Sequence, residues 1–588
     1  MNREVYERTI RKEFDFAKDA KTLADLWQRE IEVPNGGCMI PLSYLHLEDE
    51  ALLAKLSDWR RAASYAYPTR FKVTTQGTRK WAKEAVLDKA DRILFLLHDA
   101  QGQLVGHLGF ANAINNDALL EIDNVLRGEP VSRRELMAEA LAALLNWGRT
   151  VLFANGFFLR VLASNGRAID FYRRNGFAET ERRPLRMVHQ DGTDMLVPTD
   201  GLDGFDDEFI RMAPIERRCQ GKSVIRTAGP SIGFREQVYA GDAVRKGWNS
   251  EWNKYIKQFE EEFCRYVGAQ HALSTSSCTG ALHIALMALG IGPGDEVILP
   301  EITWVATANA VHYVGAKPVF ADVDAGSWCI DPSSIEELIT SRTKAVIPVH
   351  LYGHPCEMDP ILRIAEHNQL YVVEDAAPSI GAECKKRRTG SFGHFAAFSF
   401  QGAKLAVTGE GGMLVTSDPE LYQKAYAIWD QGRKPGTFMI VSNGLKYKMS
   451  NLQAAIGLGQ LQRNDEMVEA KRRIHGWYAD NLRGVRGIEL CKEASWAKSI
   501  FWMSSITVDG EAGIARDDLM AELGKRNIDS RPVFPAISQY PIWEDRDAAK
   551  PVAKRVGDNG INLPSGVCLS KAEVDYICEA IREILGAS

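Results

Sequence analysis

A chain of 588 residues exceeds what one hydrophobic core serves, so length alone predicts about three or four structural domains. With 45% hydrophobic residues, 25% charged residues and a formal net charge of -6, the composition is that of soluble globular protein and offers no cationic surface for nucleic acid. The ten cysteines show neither a CxxC pair nor metal-ligand spacing, no run of about 18 apolar residues is present for a membrane, and the charged N-terminus lacks an apolar signal core. The expectation is a cytoplasmic enzyme with reduced thiols, no bound metal, and neither nucleic acid nor membrane as partner.

In chain order, Leu23, Leu26, Trp27 and Ile31 recur at helical spacing and predict an amphipathic helix from Asp19 to Ile31. Arg92 to Leu97 and Leu104 to Phe110, joined by a turn containing Gly102, predict a β-hairpin. Leu119 to Val125 is a further strand, and Glu135 to Trp147 a helix with Leu136, Ala140, Leu144 and Trp147 on one face. Phe158 to Ala163 is a strand, and Asn165 to Asn175 a helix that Gly176 ends. The short basic segment PIERRCQGKSVIR, 214 to 226, marks a boundary near 215 to 222.

Beyond it, the strand His271 to Ser277, the turn Cys278-Thr279-Gly280 and the helix Ala281 to Leu289 have the order of an anion site. The first N–H groups of a helix lack partners within it, and its dipole favours negative charge. The same order also describes an ordinary turn with a hydroxyl cap. Strands at Glu296 to Leu299, Lys317 to Phe320, Lys344 to Val349 and Gln369 to Val373 alternate with helices such as Ser334 to Ile339 and Pro360 to Glu366. This βαβ rhythm predicts a mainly parallel sheet with its ligand site at the carboxyl ends of the strands. There stand Glu374 and Asp375, and the next apolar run, Phe395 to Phe400 with Ser399 inside it, leads to Lys404 and a glycine-rich turn, Gly409 to Gly412. A lone lysine is ordinarily a solvated side chain, and a lone Asp at a strand end a cap. Together, a buried carboxylate and a lysine after the next strand suit pyridoxal phosphate: the amine binds the aldehyde covalently, and the carboxylate holds the proton on the pyridine nitrogen. Residues from about 475 onward read as a smaller α/β domain.

The stretches VVEDAAPSIGA, SFQGAKLAVTGEGG and GLKYKMSNLQAAIGLGQL resemble the sugar aminotransferases of the DegT/DnrJ/EryC1/StrS family, over residues 222 to 588. Within that family the likeness is to perosamine-synthase-type enzymes, which aminate a nucleotide-linked 4-keto-6-deoxy sugar. The resemblance implies an aspartate-aminotransferase-type (fold type I) domain at 222–474 and a small domain at 475–588, pyridoxal 5'-phosphate as cofactor, and an amino acid donor such as glutamate. It assigns Ser399, Thr279 and Cys278 to the cofactor phosphate and Trp304 to the face of its ring. Lys446 stands where relatives carry an Asn that reaches the phosphate of a neighbouring subunit, which implies a homodimer or larger homo-oligomer. Arg531, in IDSRPVFP, falls in a substrate-facing loop. Dehydratase members of the family carry His where this chain has Lys404, so the lysine favours amino transfer. A transcriptional regulator, the other arrangement in which such a domain is found, would need a helix-turn-helix that the first 215 residues do not display.

Those first residues have their own resemblance. LRVLASNGRAIDFYRRNGF, 159 to 177, and DEFIRMAPI, 207 to 215, are similar to the GNAT acyl-CoA N-acyltransferases, which implies an α/β domain over 1–215. In that family Tyr172 matches a tyrosine that protonates the leaving thiolate, and Asn165 a residue on the coenzyme side; the alternatives are a core-edge aromatic and a helix cap. The family's glycine-rich pyrophosphate loop is reduced here to Val125 to Glu135, in which Gly128 remains and Arg127, Arg133 and Arg134 are available for phosphates. His107 and Asp123 are the candidates for a general base, and either is equally a structural residue. Together the two resemblances imply a bifunctional enzyme of surface-polysaccharide or glycoconjugate synthesis, aminating a nucleotide-linked keto sugar and acetylating the new amine from acetyl-CoA. The alternative is an aminotransferase whose N-terminal part transfers nothing.

Overall fold

The computed structural model describes residues 3–70, 72–130, 133, 135–190, 193–199, 205–215, 224–543 and 550–586. The chain divides into two compact units, Met1–Arg218 and Cys219–Ser588. Residues 216–223 of the joining segment and Arg134 of the reduced loop lie outside the described residues.

The first unit is built on one sheet of ten strands: β1 (Ile31–Glu32), β2 (Cys38–Pro41), β3 (Thr69–Arg70), β4 (Ile93–His98), β5 (Leu104–Ala111), β6 (Leu119–Arg127), β7 (Gly156–Leu162), β8 (Phe177–Gln190), β9 (Thr193–Pro198) and β10 (Asp207–Pro214). Their order is β1-β2-β4-β5-β6-β7-β10-β8-β9-β3. Successive side chains of a strand face opposite ways, and β4 uses both faces. Leu94 and Leu96 pack with Leu52, Leu56 and Trp59 of the helix Glu50–Ala62, while Phe95 meets Trp147 of the helix Leu136–Thr150 edge-on at 5.3 Å. A sheet covered on both sides explains why the hairpin reads as unbroken apolar runs rather than as alternation. β6 and β7 are parallel, but their pairing runs only from Leu119 opposite Gly156 to Ile122 opposite Leu159. Beyond Ile122 the two strands are no longer partners, which opens a gap at their carboxyl ends.

The helix expected from Asp19 to Ile31 is shorter, Leu23–Trp27, held by a reciprocal cap between Thr22 and Asp25. Ile31 belongs instead to β1, opposite Met39. Leu23 and Trp27 are exposed, so their helical spacing marks no buried face. The stripe that does build the core lies earlier: Tyr6, Ile10, Phe14 and Ala17 of the helix Arg3–Lys18 are all buried at helical spacing.

The second unit begins with the helices Phe234–Lys246 and Lys254–Val267. Its strands are β11 (His271–Thr275), β12 (Glu296–Pro300), β13 (Lys317–Ala321), β14 (Thr343–Val346), β15 (Tyr371–Asp375), β16 (Glu383–Cys384), β17 (Arg387–Arg388), β18 (Phe395–Ser399), β19 (Gly412–Thr416), β20 (Ile488–Leu490), β21 (Ala497–Lys498), β22 (Ser504–Val508), β23 (Arg531–Pro532) and β24 (Gly560–Leu563). Seven form the main sheet, in the order β11-β19-β18-β15-β14-β12-β13. The run from β18 to β13 is parallel throughout, and β19 is antiparallel to both of its neighbours. The fold is thus α/β with a mainly parallel sheet, and consecutive parallel strands need helical crossovers such as Met358–His367. A four-stranded sheet, β20-β22-β24-β23, packs against the helices Asn464–Leu482 and Lys571–Ile584. The first of these helices runs without a break through positions 474 and 475. Among the described residues no helix is long and apolar enough to cross a membrane.

Candidate active site

The carboxyl end of β15 carries two adjacent buried carboxylates, and the alternation of a strand sends them in opposite directions. Glu374 points into the protein. It accepts hydrogen bonds from the backbone N–H groups of Gly390 (2.7 Å), Phe392 (2.7 Å) and Gly393 (2.8 Å), and its Oε2 lies 3.0 Å from His350 Nε2. Because the Cys356 N–H donates to His350 Nδ1 at 3.0 Å, the ring proton resides on Nε2 and is donated to Glu374. Asp375 points the other way. Its Oδ2 accepts from the Thr307 hydroxyl at 2.7 Å and its Oδ1 from the Ala377 N–H at 3.1 Å, with Cys278 Sγ 3.9 Å away. The first carboxylate has its lone pairs consumed by the fold, and the second is held in place with capacity left over.

Lys404 follows β18, the parallel neighbour of β15, in which Ala397 lies opposite Asp375. The turn that presents it is closed by its own N–H donating to Gln401 O (2.8 Å) and by Gly402 N–H donating to Gly409 O (2.9 Å). Its Nζ sits 4.0 Å from the centroid of the Trp502 ring. Burial lowers the amine's pKa from the ordinary lysine value, and the charge of Asp375 opposes that shift, so the amine and the carboxylate act on one another. The Cys278 thiol is pushed well up, by burial first and by Asp375 second, and stays protonated.

The helix Cys278–Ala288 starts beside this cluster. The Ser277 hydroxyl accepts from Gly280 N–H at 3.1 Å, and Cys278 and Thr279 occupy the first two helical positions, whose N–H groups the helix itself cannot satisfy. Strand register brings Ser399 to the same place: Ser399 lies opposite Gly412, and Gly412 opposite Thr275, two residues before the cap. Trp304 is 57% exposed, so it is not the core residue that a tryptophan after a strand usually is, and its ring lies 5.7 Å from Phe534. Lys446 is exposed, on a segment whose Tyr447 packs against Gly280. Arg531 is exposed and opens β23 at the edge of the small sheet, opposite Asn562. Thr307, which fixes Asp375, stands out by no motif; its signal is only that it lies three residues after Trp304, in the first turn of the helix Ala306–Tyr313.

These residues fit pyridoxal phosphate. A lysine amine held below its ordinary pKa, a carboxylate oriented by a hydroxyl and an amide, and a helix start beside Ser399 match the aldehyde, the ring nitrogen and the phosphate of that cofactor. Asp375 and Lys404 would hold the ring and the aldehyde, with Ser399, Cys278 and Thr279 at the phosphate.

The candidate residues of the first unit are disposed differently. Gly128 N–H and Glu129 N–H both donate to Val105 O, at 2.9 and 3.1 Å, and a Cβ on Gly128 would lie 1.9 Å from Trp59 Cε2. The glycine is required by the indole packed on it, and its amide is already engaged. Arg127, exposed, ends β6 opposite Gly106. Asn165 caps its helix by accepting from Ala168 N–H at 3.2 Å. Tyr172 is buried between Phe171 and Phe177, and burial, then the charge of Asp123, raises its hydroxyl pKa. His107 is fully buried; its Nδ1 donates to Asn124 O at 2.7 Å, and burial lowers its pKa to about 4. Of the two base candidates only Asp123 stays partly exposed, 3.6 Å from Arg92, with a pKa raised by burial.

Two family models match the chain: the DegT/DnrJ/EryC1/StrS aminotransferase family over residues 230–582, and the acetyltransferase (GNAT) domain over residues 40–178. Among curated proteins, the chain is 40% identical over 368 residues to a GDP-perosamine synthase of Caulobacter vibrioides, covering 61% of this chain and 98% of that one. It is 39% identical to a GDP-perosamine synthase of Escherichia coli O157:H7, covering 60% and 96%. Among solved structures it is similar to DesV of S. venezuelae in complex with a ketimine intermediate (31% identity, TM-score 0.56, covering 60% of this chain and 94% of that one). It is also similar to a putative sugar aminotransferase of Streptococcus pneumoniae in its PMP form (26% identity, TM-score 0.58, covering 62% and 98%). The chain therefore belongs to the DegT/DnrJ/EryC1/StrS family of pyridoxal-phosphate-dependent sugar aminotransferases, and carries a GNAT acetyltransferase domain ahead of the aminotransferase.

Proposed function

We propose that the second unit aminates a nucleotide-linked 4-keto-6-deoxy sugar, with glutamate as the amino donor, and that the first unit acetylates the new amine from acetyl-CoA. The observation that carries the first half is the cluster of Lys404, Asp375 and Cys278 at the carboxyl ends of β15 and β18. Bound pyridoxal phosphate supplies an electron sink for the charge left when a proton leaves the substrate carbon. Asp375, held by Thr307 and Ala377, is the carboxylate that would partner the ring nitrogen's proton. Lys404 Nζ, drawn below the ordinary lysine range by burial, accepts and returns the proton. The likeness to GDP-perosamine synthases favours a keto sugar carried on a nucleoside diphosphate, with Arg531 as a cation for its phosphates or for the donor's carboxylate. By the same family likeness Lys446 reaches the cofactor phosphate of a neighbouring copy, in an assembly of at least two chains, and Trp304 covers the cofactor ring.

For acetyl transfer the supporting observation is the gap past Ile122, where β6 and β7 cease to pair, with Tyr172 and Asp123 electrostatically coupled nearby. In this reading Asp123 takes the proton of the amine and Tyr172 returns one to the leaving thiolate. Against it stand the committed amides of Gly128 and Glu129, which favour a first unit that transfers nothing. Purified protein given a panel of nucleotide-linked keto sugars, glutamate and acetyl-CoA decides between them. An N-acetylated sugar is the expected product; accumulation of free amine with no heat of coenzyme A binding by calorimetry removes the second activity. Failure of every sugar to return the pyridoxamine form of the cofactor to its aldehyde removes the first.

A further inference from the structure

Trp502 stands just ahead of β22, in the part of the chain that forms the small sheet, yet its indole lies against the catalytic lysine. It is 6% exposed and is held from several directions. Its Nε1–H donates to Ala403 O at 2.8 Å, the residue next to Lys404. Its backbone carbonyl accepts from Lys471 Nζ at 2.8 Å, a buried amine whose pKa burial lowers to about 7. Tyr352 stacks on the indole at 5.9 Å with 26° between the planes, and Phe534 stacks in turn on Tyr352 at 5.4 Å. The Tyr352 hydroxyl accepts from Phe534 N–H (3.1 Å) and Asn562 Nδ2 (3.2 Å), while Tyr352 itself sits in the left-handed region at φ 49°. The next residue, Gly353, has φ +95°, and a Cβ there would fall 2.9 Å from Trp502 N. A backbone kept in this conformation over-determines the position of the ring. The aromatic row then continues from Phe534 to Trp304.

We propose that Trp502 is a positioning residue for Lys404: its indole face is the seat on which the ε-amine rests in its charged form, and it acts on the reaction by placing that amine and favouring its protonation. The inference rests on the aminotransferase reading of Lys404. An aromatic face attracts an ammonium and not a neutral amine, so its effect differs between the two states a proton-carrying lysine alternates between. The titratable groups beside Lys404 are Asp375, from the end of β15, whose charge favours the charged amine, and Cys278, from the start of its helix, whose thiol is pushed well up and stays neutral; burial opposes the charged form. The indole works in the same direction as Asp375, so its removal moves the amine further down.

The test is made on full-length protein stripped of cofactor. Trace acetylation with acetic anhydride across a pH series, read at the Lys404 peptide by mass spectrometry, gives the midpoint of the amine, with exposed lysines of the same chain as internal references. Trp502→Leu should lower that midpoint by about half a unit to one and a half units, and Trp502→Phe, which keeps a weaker face, by less. A midpoint unmoved in a folded Trp502→Leu protein overturns the proposal. If that variant does not fold, Trp502→Phe carries the test alone, and an unmoved midpoint there overturns it. Borohydride labelling of Lys404 in cofactor-loaded wild-type protein tests the aminotransferase reading separately, so either can fail without the other.

Discussion

The two units answer the same question in opposite ways: where do the polar groups that chemistry needs spend their hydrogen bonds? In the second unit Asp375 is oriented by Thr307 and Ala377 and still acts through its charge on Lys404, and the neighbouring carboxylate, Glu374, absorbs the structural demands of the 390–393 loop. In the first unit the residues that resemble coenzyme contacts are turned to the fold itself. Gly128 supports Trp59 and pairs with Val105, Asn165 caps a helix, and His107 is sealed in the core. A motif identifies a position; whether the position is available to a ligand depends on what else the fold asks of it.

The contrast breaks first at Lys404. Lys404→Arg keeps a cation but cannot bind the aldehyde or carry the proton, and should lower turnover by about a thousandfold or more, measured as amine formed on the keto sugar. The adjacent carboxylates should then separate in kind. Asp375→Asn should cost about a hundredfold in turnover with little change in thermal midpoint. Glu374→Gln should instead lose about 3 kcal/mol of stability, because His350 and three amides lose a buried charge; equal effects of both on turnover alone would erase the distinction. In the first unit, Tyr172→Phe should lower acetyl transfer about tenfold without altering transamination. No change in acetylation leaves Tyr172 as the aromatic wedge between Phe171 and Phe177.

A separate effect, read on stability alone, is a pH dependence. His107 has a folded pKa of about 4, below its ordinary 6.5, so the unfolded chain binds the extra proton between those values. Its contribution is complete above about pH 6.5 and is lost as pH falls toward 4, at most about 3 kcal/mol in total. His46, also lowered to about 4 by burial, adds to the same window. Unfolding followed by circular dichroism from pH 7 to 4 should show a shallower decline for His107→Gln than for wild type.

Much of this was legible in the linear chain, and the reasons differ by element. The hairpin at 93–111 and the βαβ alternation after residue 271 come from local periodicity and turn residues, and the structure reproduces both. Lys404 and Asp375 were visible because each follows an apolar strand, and parallel strands deliver their carboxyl ends to one edge. The helix expected up to Ile31 failed because apolar spacing does not say which residues will be buried, and Leu23 and Trp27 are not.

What the amino-acid order determined alone was most of the strands and helices, the class of fold, and the strand ends that bear Asp375 and Lys404, the pair on which the proposed amino transfer rests, since these depend on neighbours a few residues apart. Only the packed structure decided that Glu374 faces inward while Asp375 turns to Thr307 and Cys278, that Gly128 serves an indole, and that Trp502, about a hundred residues downstream, lies beneath the lysine. Those outcomes are set by register and by contacts between distant segments, and no local pattern encodes them.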